Sequence, residues 1–115
     1  MRIVKKGTGD IYVPAGHDDT VTALKMFDPK RGSPKVDVHI TTFAAGAGME
    51  EEIHPESDHV IYMLSGTLEM RQDGKAAAVI SAGDAIHIPA GEPHQGVNAT
   101  SEPATFLAVT VPPIG

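Results

Sequence analysis

Residues 83–98 read GDAIHIPAGEPHQGVN, and this stretch combines turn-forming residues with a histidine at defined spacings. Intervals of five, one, two and three residues separate the members of the pattern, which are Gly83, Pro89, Gly91, His94 and Asn98. A strand is expected to follow the turn at Gly83. Pro89 and Gly91 predict a sharp bend after it, where the backbone N–H that proline lacks is not needed for a hydrogen bond to a neighbouring strand. His94 then opens the return strand, so we expect the bend to direct its imidazole into the interior of a β structure.

This spacing resembles the second signature motif of the cupins. The first cupin motif runs Gly, five residues, His-x-His, three or four residues, Glu, six residues, Gly. Its two glycine anchors fit Gly46 and Gly66, and counting inward places Glu52 and His54 at the His-x-His pair and His59 at the glutamate position. The order of ligands differs from the family pattern, but the set of three imidazoles and one carboxylate does not. The resemblance therefore implies a metal site made of Glu52, His54, His59 and His94.

A second register would make His54 the first ligand and Glu56 the second, because Gly48 also lies five residues before His54. It leaves only two residues between Glu56 and His59, too few for a turn. The first register leaves four, PESD, which include a proline and two good turn formers. Strand parity also places Glu52 and His54 on one face. Glu50 shares that face and is the reserve ligand.

Short runs rich in Val, Ile, Thr and Phe, separated by 12 glycines and 9 prolines, predict an all-β protein. Asp73-Gly74 predicts a type I′ hairpin turn. The expected strands are 21–27, 36–43, 49–54, 59–64, 67–71, 76–80, 85–88, 94–98 and 105–111. The cupin resemblance implies a double-stranded β-helix, or jelly-roll barrel. We expect residues 1–115 to form a single domain with a core at about 35–111 and an N-terminal arm at 1–20.

The composition excludes several classes of function. The chain has 115 residues, 41% of them hydrophobic and 21% charged, which is typical of one packed globular domain. With no cysteine, neither a thiolate ligand nor a disulfide is available. A formal charge of -6 argues against a nucleic-acid partner. We expect no membrane span and a cytoplasmic location, and a homodimer, because antiparallel sheets must protect their edges.

Three imidazoles and a carboxylate suit a divalent transition metal, namely Fe, Mn, Ni, Co, Cu or Zn, rather than calcium. Parity with His59 predicts that Ile61 and Met63 line an apolar pocket, and His87 is a further candidate for the pocket or for orienting a ligand. Tyr62 faces the other way and is expected to pack against a second sheet or a dimer partner. His17 and His39 are expected to be ordinary exposed or structural histidines. Asn98 is expected to close a turn.

The favoured function is that of a metal-dependent enzyme acting on a small organic molecule. It would be either dioxygenase-like or an isomerase or lyase working through a metal-bound enolate. The alternative is a non-catalytic cupin that binds or senses a small molecule. A third option, a metal-free sugar-modifying cupin using His and Tyr, would leave Glu52, His54 and His59 converging without purpose. The sequence assigns no catalytic residue, and the fold alone does not fix a reaction.

Overall fold

A computed structural model of the protein describes residues 1–114. Over this range the regular elements are strands and one short 3₁₀ helix, Pro29–Arg31. The strands are β1 Asp10–Tyr12, β2 Val21–Phe27, β3 Asp37–Phe43, β4 Asp58–Ser65, β5 Thr67–Gln72, β6 Lys75–Ser81, β7 Ala85–Ile88, β8 Gln95–Val97 and β9 Ala104–Val111. No helix in residues 1–114 has the length and apolar character that crossing a membrane would require.

The strands form two antiparallel sheets. The larger has the order β1-β2-β3-β9-β4-β7 and the smaller the order β6-β5-β8. From β4 onward the chain crosses between the sheets four times, at β4–β5, β6–β7, β7–β8 and β8–β9. This is the pattern of a double-stranded β-helix of jelly-roll type, so the predicted fold class is confirmed. The turn between β5 and β6 has positive φ at both Asp73 (53°) and Gly74 (75°), as a type I′ hairpin requires.

The expected strand at 49–54 is wrong as a continuous element. Two isolated bridges form in and beside this segment, Gly48 with Val97 just before it and Glu52 with His94 within it. At the second bridge the two residues exchange both backbone hydrogen bonds, 2.8 and 2.9 Å long. This holds the segment against the return strand without a ladder. Conversely, β1 was not expected, and it pairs with β2 to place part of the N-terminal arm in the larger sheet.

The inner face of the larger sheet changes character along its strands. At one end, neighbouring strands contribute the apolar row Val21, Phe43 and Ala104, which packs with Leu68, Met70 and Ile80 from the smaller sheet. At the other end the rows contain Asp37 beside Thr110 beside His59, and Lys25 beside His39 beside Ala108. The apolar end therefore supplies the core, and the polar end is left to form a site.

Asn98 stabilises the apolar end of the barrel through hydrogen bonds to the backbone, in agreement with the turn-closing role expected from the sequence. Its buried side-chain amide donates to the backbone carbonyls of Phe43 (3.2 Å), Ala44 (3.1 Å) and Glu102 (2.7 Å). Its Oδ1 accepts from the backbone N–H of Thr100 at 3.0 Å. One side chain therefore joins the loop after β8 to the end of β3.

Candidate metal centre in the cavity

Three histidines from separate segments converge at the polar end of the barrel. His59 lies on the inner face of β4, His54 lies in the loop before β4, and His94 immediately precedes β8. The ring centroids of His54 and His59 are 4.8 Å apart, those of His54 and His94 are 5.1 Å apart, and those of His59 and His94 are 5.7 Å apart. One nitrogen from each ring lies within 4.8 Å of the other two. This spacing suits three ligands around one ion.

The nitrogens of this group are unusual because several are buried without a partner. Nε2 of His54 and both ring nitrogens of His59 accept or donate no hydrogen bond within the described chain. Buried polar atoms are normally satisfied. An ion bound between the rings would satisfy a nitrogen of His54 and one of His59, so the residues fit a divalent transition metal on the chemistry of their donors.

The protonation of the group also suits a metal. Burial lowers the pKa of His59 to about 3, and repulsion from the rings of His54 and His94, whenever they carry a proton, adds to this effect. Burial likewise lowers the pKa of His94. Nδ1 of His94 lies 3.2 Å from the carbonyl oxygen of Glu92. A proton on Nδ1 can therefore donate to this oxygen and leave Nε2 free to bind an ion, which is how a ligand histidine is commonly oriented.

Glu52 adjoins the three rings through His54. Its Oε2 is 3.3 Å from Nε2 of His54, an ion-pair distance without hydrogen-bond geometry, and its Oε1 is 3.7 Å from Nδ1 of His17. Burial alone would raise the pKa of Glu52, but the neighbouring histidines outweigh it and hold the pKa below its usual range. A carboxylate that stays ionised can balance the charge of an ion bound by the rings.

The other acidic candidates take different positions. Glu50 does not line the cavity beside the histidines, and its backbone N–H donates to the carbonyl oxygen of Gly16 at 3.1 Å. Glu56 is exposed and also lies outside the cavity lining.

The three rings form part of the wall of a cavity of about 250 Å³. Ile61 lines this cavity, together with apolar residues that include Phe43, Leu68, Met70 and Phe106. Met63 does not line it, contrary to expectation, because it sits further towards the apolar end of β4 and is fully buried in the core. A cavity of this size and lining suits a small, partly apolar ligand.

His87 also lies elsewhere than expected. It is on the outer face of β7, opposite Val60 in the pairing of β4 with β7, and its side chain is 56% exposed. Its Nε2 contacts Oδ2 of Asp58 at 3.0 Å. Ile86 and Ile88 alternate with His87 along β7 as expected, but the two isoleucines occupy the inner face, and His87 therefore points away from the cavity.

Two histidines expected to be ordinary do line the cavity. His17, from the arm, packs edge-on against Phe43 with ring centroids 5.8 Å apart. His39 lies on the inner face of β3, and its ring centroid is 6.4 Å from that of His59. The alternation of Asp37, His39 and Thr41 could have placed His39 on one face with Phe43. No periodic signal in the sequence marks His17.

Comparison with known proteins identifies the family of the domain and the fold. Residues 39–110 match the family model of the cupin domain. No curated protein matches the chain in sequence. Among solved structures, the polyketide cyclase RemF from Streptomyces resistomycificus superposes with a TM-score of 0.83 at 24% identity, over 96% of this chain and 79% of that one.

Two further structures show the same fold. The sugar phosphate isomerase SPO2919 from Silicibacter pomeroyi has a TM-score of 0.81 at 24% identity, over 97% of this chain and 76% of that one. A predicted oxalate decarboxylase from Thermotoga maritima has a TM-score of 0.81 at 19% identity, over 97% of this chain and all of that one (100%). At these identities the likeness concerns the fold.

Proposed function

Because this chain belongs to the cupin family, we propose that it is a metal-dependent enzyme acting on a small organic molecule held in the cavity. The observation that carries the proposal is the convergence of three imidazoles on the cavity wall, two of which, His54 and His59, have buried nitrogens without a hydrogen-bond partner. Leaving such atoms without an ion or ligand is costly, and bulk water has little access to them.

The proposed ligands are His54, His59 and His94, with Glu52 as the carboxylate. The ion, one of Fe, Mn, Ni, Co, Cu or Zn, would supply Lewis-acid stabilisation of negative charge on a ligand oxygen. The chain itself contributes the orientation of His94 through Glu92, the charge of Glu52, and an apolar wall that excludes water around the bound molecule. The whole of residues 1–115 is proposed to act as one domain.

The reaction belongs to one of two classes. The structures of similar fold include a polyketide cyclase, a sugar phosphate isomerase and a predicted oxalate decarboxylase, which supports enzymatic use of this barrel and an isomerase or lyase reaction. A dioxygenase-like oxidoreductase would use the same ligand set. Dependence of turnover on dioxygen separates the two classes, and ligand binding without turnover would instead indicate a sensing module.

We also propose a homodimer formed through the outer face of the larger sheet. On β4, the outward-facing Val60, Tyr62 and Leu64 are 43%, 45% and 47% exposed. The adjacent strand β9 adds Leu107 and Val109 to the same face. A continuous apolar face of this kind is typical of an interaction surface.

The cytoplasmic location expected from the sequence stays a prediction.

The proposed function is tested by metal content. Protein purified without chelators is analysed by mass spectrometry for transition metals, alongside His54→Ala, His94→Ala and the control His87→Ala. We expect about one ion per chain in the wild type and the control, and much less in the other two variants. Equally low metal in all four proteins would refute the metal centre.

A further inference from the structure

A second polar cluster lies in the same cavity on β2 and β3. Nζ of Lys25 is 2.6 Å from Oδ2 of Asp37, and Oδ1 of Asp37 is 3.2 Å from Nδ1 of His39. The three side chains are between 9% and 15% exposed. The ring of Tyr12 lies against Lys25, with Nζ 5.0 Å from its centroid. The metal centre described above uses none of these residues.

Asp37 determines which nitrogen of His39 carries the proton. Burial alone would raise the pKa of Asp37, but its hydrogen bonds with His39 and Lys25 outweigh this and lower the pKa. The carboxylate is therefore ionised and accepts from both neighbours. The hydrogen bond to Asp37 requires a proton on Nδ1 of His39, so in the neutral form of the ring Nε2 is the hydrogen-bond acceptor.

This acceptor is available to a ligand in the cavity. Nε2 of His39 has no hydrogen-bond partner in residues 1–114, and protein atoms do not enclose it completely. The ring lies next to the candidate metal ligands, and its centroid is 6.4 Å from that of His59. Ala108 is its neighbour on β9, and this small side chain leaves the space above the sheet open.

A second unpartnered group lies on the same strand face. Oγ1 of Thr41 is buried without a hydrogen bond, and Thr41 lines the cavity. The cluster thus offers an acceptor at His39 and a hydroxyl at Thr41. It does not offer a free positive charge, because Asp37 neutralises Lys25 and would repel an anionic group. The chemistry favours a neutral hydroxyl over a second carboxylate or a phosphate.

We propose that Nε2 of His39 accepts a hydrogen bond from a hydroxyl group of the bound molecule, which makes Lys25, Asp37 and His39 a hydroxyl-recognition subsite. This inference rests on the proposed function, since it assumes a small organic molecule in the cavity. The ligand class is then a short molecule with a metal-binding oxygen, such as a carboxylate, at one end and a hydroxyl a few carbon atoms away.

The test uses matched pairs of small acids as probes. Linear carboxylic acids of about three to six carbons, each with and without a terminal hydroxyl, are titrated into zinc-loaded and metal-free protein. For at least one pair we expect the hydroxy acid to bind about fivefold more tightly than its parent, the ratio that one hydrogen bond supplies. The ratio of the two affinities should fall to about one in His39→Phe, and it should also be smaller in Asp37→Asn than in the wild type. It should persist in His87→Phe, which alters an aspartate-paired histidine outside the cavity.

The ¹⁵N spectrum of the wild-type His39 ring is a second readout that requires no variant to fold. We expect the proton on Nδ1, and a shift of the Nε2 resonance with the hydroxy acid but not with its parent. A proton resident on Nε2, or the absence of any hydroxyl preference in the wild type, would overturn the subsite. Uptake of zinc and of the other five candidate metals is measured on the same protein. Failure to take up any of them would refute the proposed function, whereas the metal-free spectra would still decide on the subsite.

Discussion

Replacing His59 by phenylalanine should change how the stability of the metal-free protein depends on pH. His59 is buried on β4 with neither ring nitrogen partnered, and its pKa is lowered to about 3, chiefly by burial. In the unfolded chain the pKa of a histidine is about 6.5. Between these two values the unfolded state binds a proton that the folded state does not. Stability must therefore fall as the pH falls below about 6.5.

The size of the effect follows from the two pKa values. For one such group, the free energy of unfolding at about pH 5 should be about 2 kcal/mol lower than at about pH 8. His59→Phe removes this proton and keeps a ring of similar shape. On going from about pH 8 to about pH 5, the free energy of unfolding of the variant should thus rise by about 2 kcal/mol relative to that of the wild type.

Urea unfolding, in the presence of a chelator, measures this difference at each pH. The pKa of His94 is also lowered and steepens the wild-type curve, so the comparison is made between the two proteins and not on the wild-type slope alone. His87→Phe, on the exposed face, is the control and should follow the wild type. Parallel stability curves for His59→Phe and the wild type would refute the view that His59 is held neutral.

Four other substitutions test the fold and the assembly. Asn98→Ala should lower the free energy of unfolding by roughly 3 kcal/mol, because it leaves buried carbonyl groups without a hydrogen-bond donor. Urea unfolding measures this loss, and a loss under about 1 kcal/mol would contradict the structural role of the Asn98 hydrogen bonds. At Gly66 a Cβ would meet the carbonyl of Pro103, whereas at Gly74, with the same φ of 75°, it meets nothing within 4 Å. Gly66→Ala should therefore cost about 2 kcal/mol more than Gly74→Ala, and equal melting temperatures would argue against this. Tyr62→Lys should convert the proposed dimer to a monomer in analytical ultracentrifugation, and an unchanged mass would exclude this face.

The turns and the bend could be predicted from the sequence because their determinants are local. Asp73-Gly74 specifies its hairpin through positive φ, and the spacing around Pro89 specifies the bend before His94. Alternation also predicted that His59 and Ile61 share a face. These rules depend on neighbours within a few residues and predict turns and relative faces, whereas the jelly-roll fold was implied by the resemblance to the cupins.

The remaining features depend on contacts between distant segments. Alternation gives relative faces, so it separated His87 from Ile86 without saying which side is inside. It gives no position along the barrel either, which is why Met63 lies in the core and not in the cavity. The cavity role of His17 comes from the arm folding over the barrel, and no local pattern encodes that packing.

The proposed metal centre holds one ion between His54, His59 and His94, with Glu52 as the carboxylate. Crystals of protein purified without chelators, measured on both sides of the absorption edges of the transition metals, test it directly. We expect a single anomalous peak about 2 Å from a nitrogen of each of the three rings, with the Glu52 carboxylate beside it. The absence of a peak among these residues at every edge, even after the crystals are soaked in the metals, would rule out this metal centre.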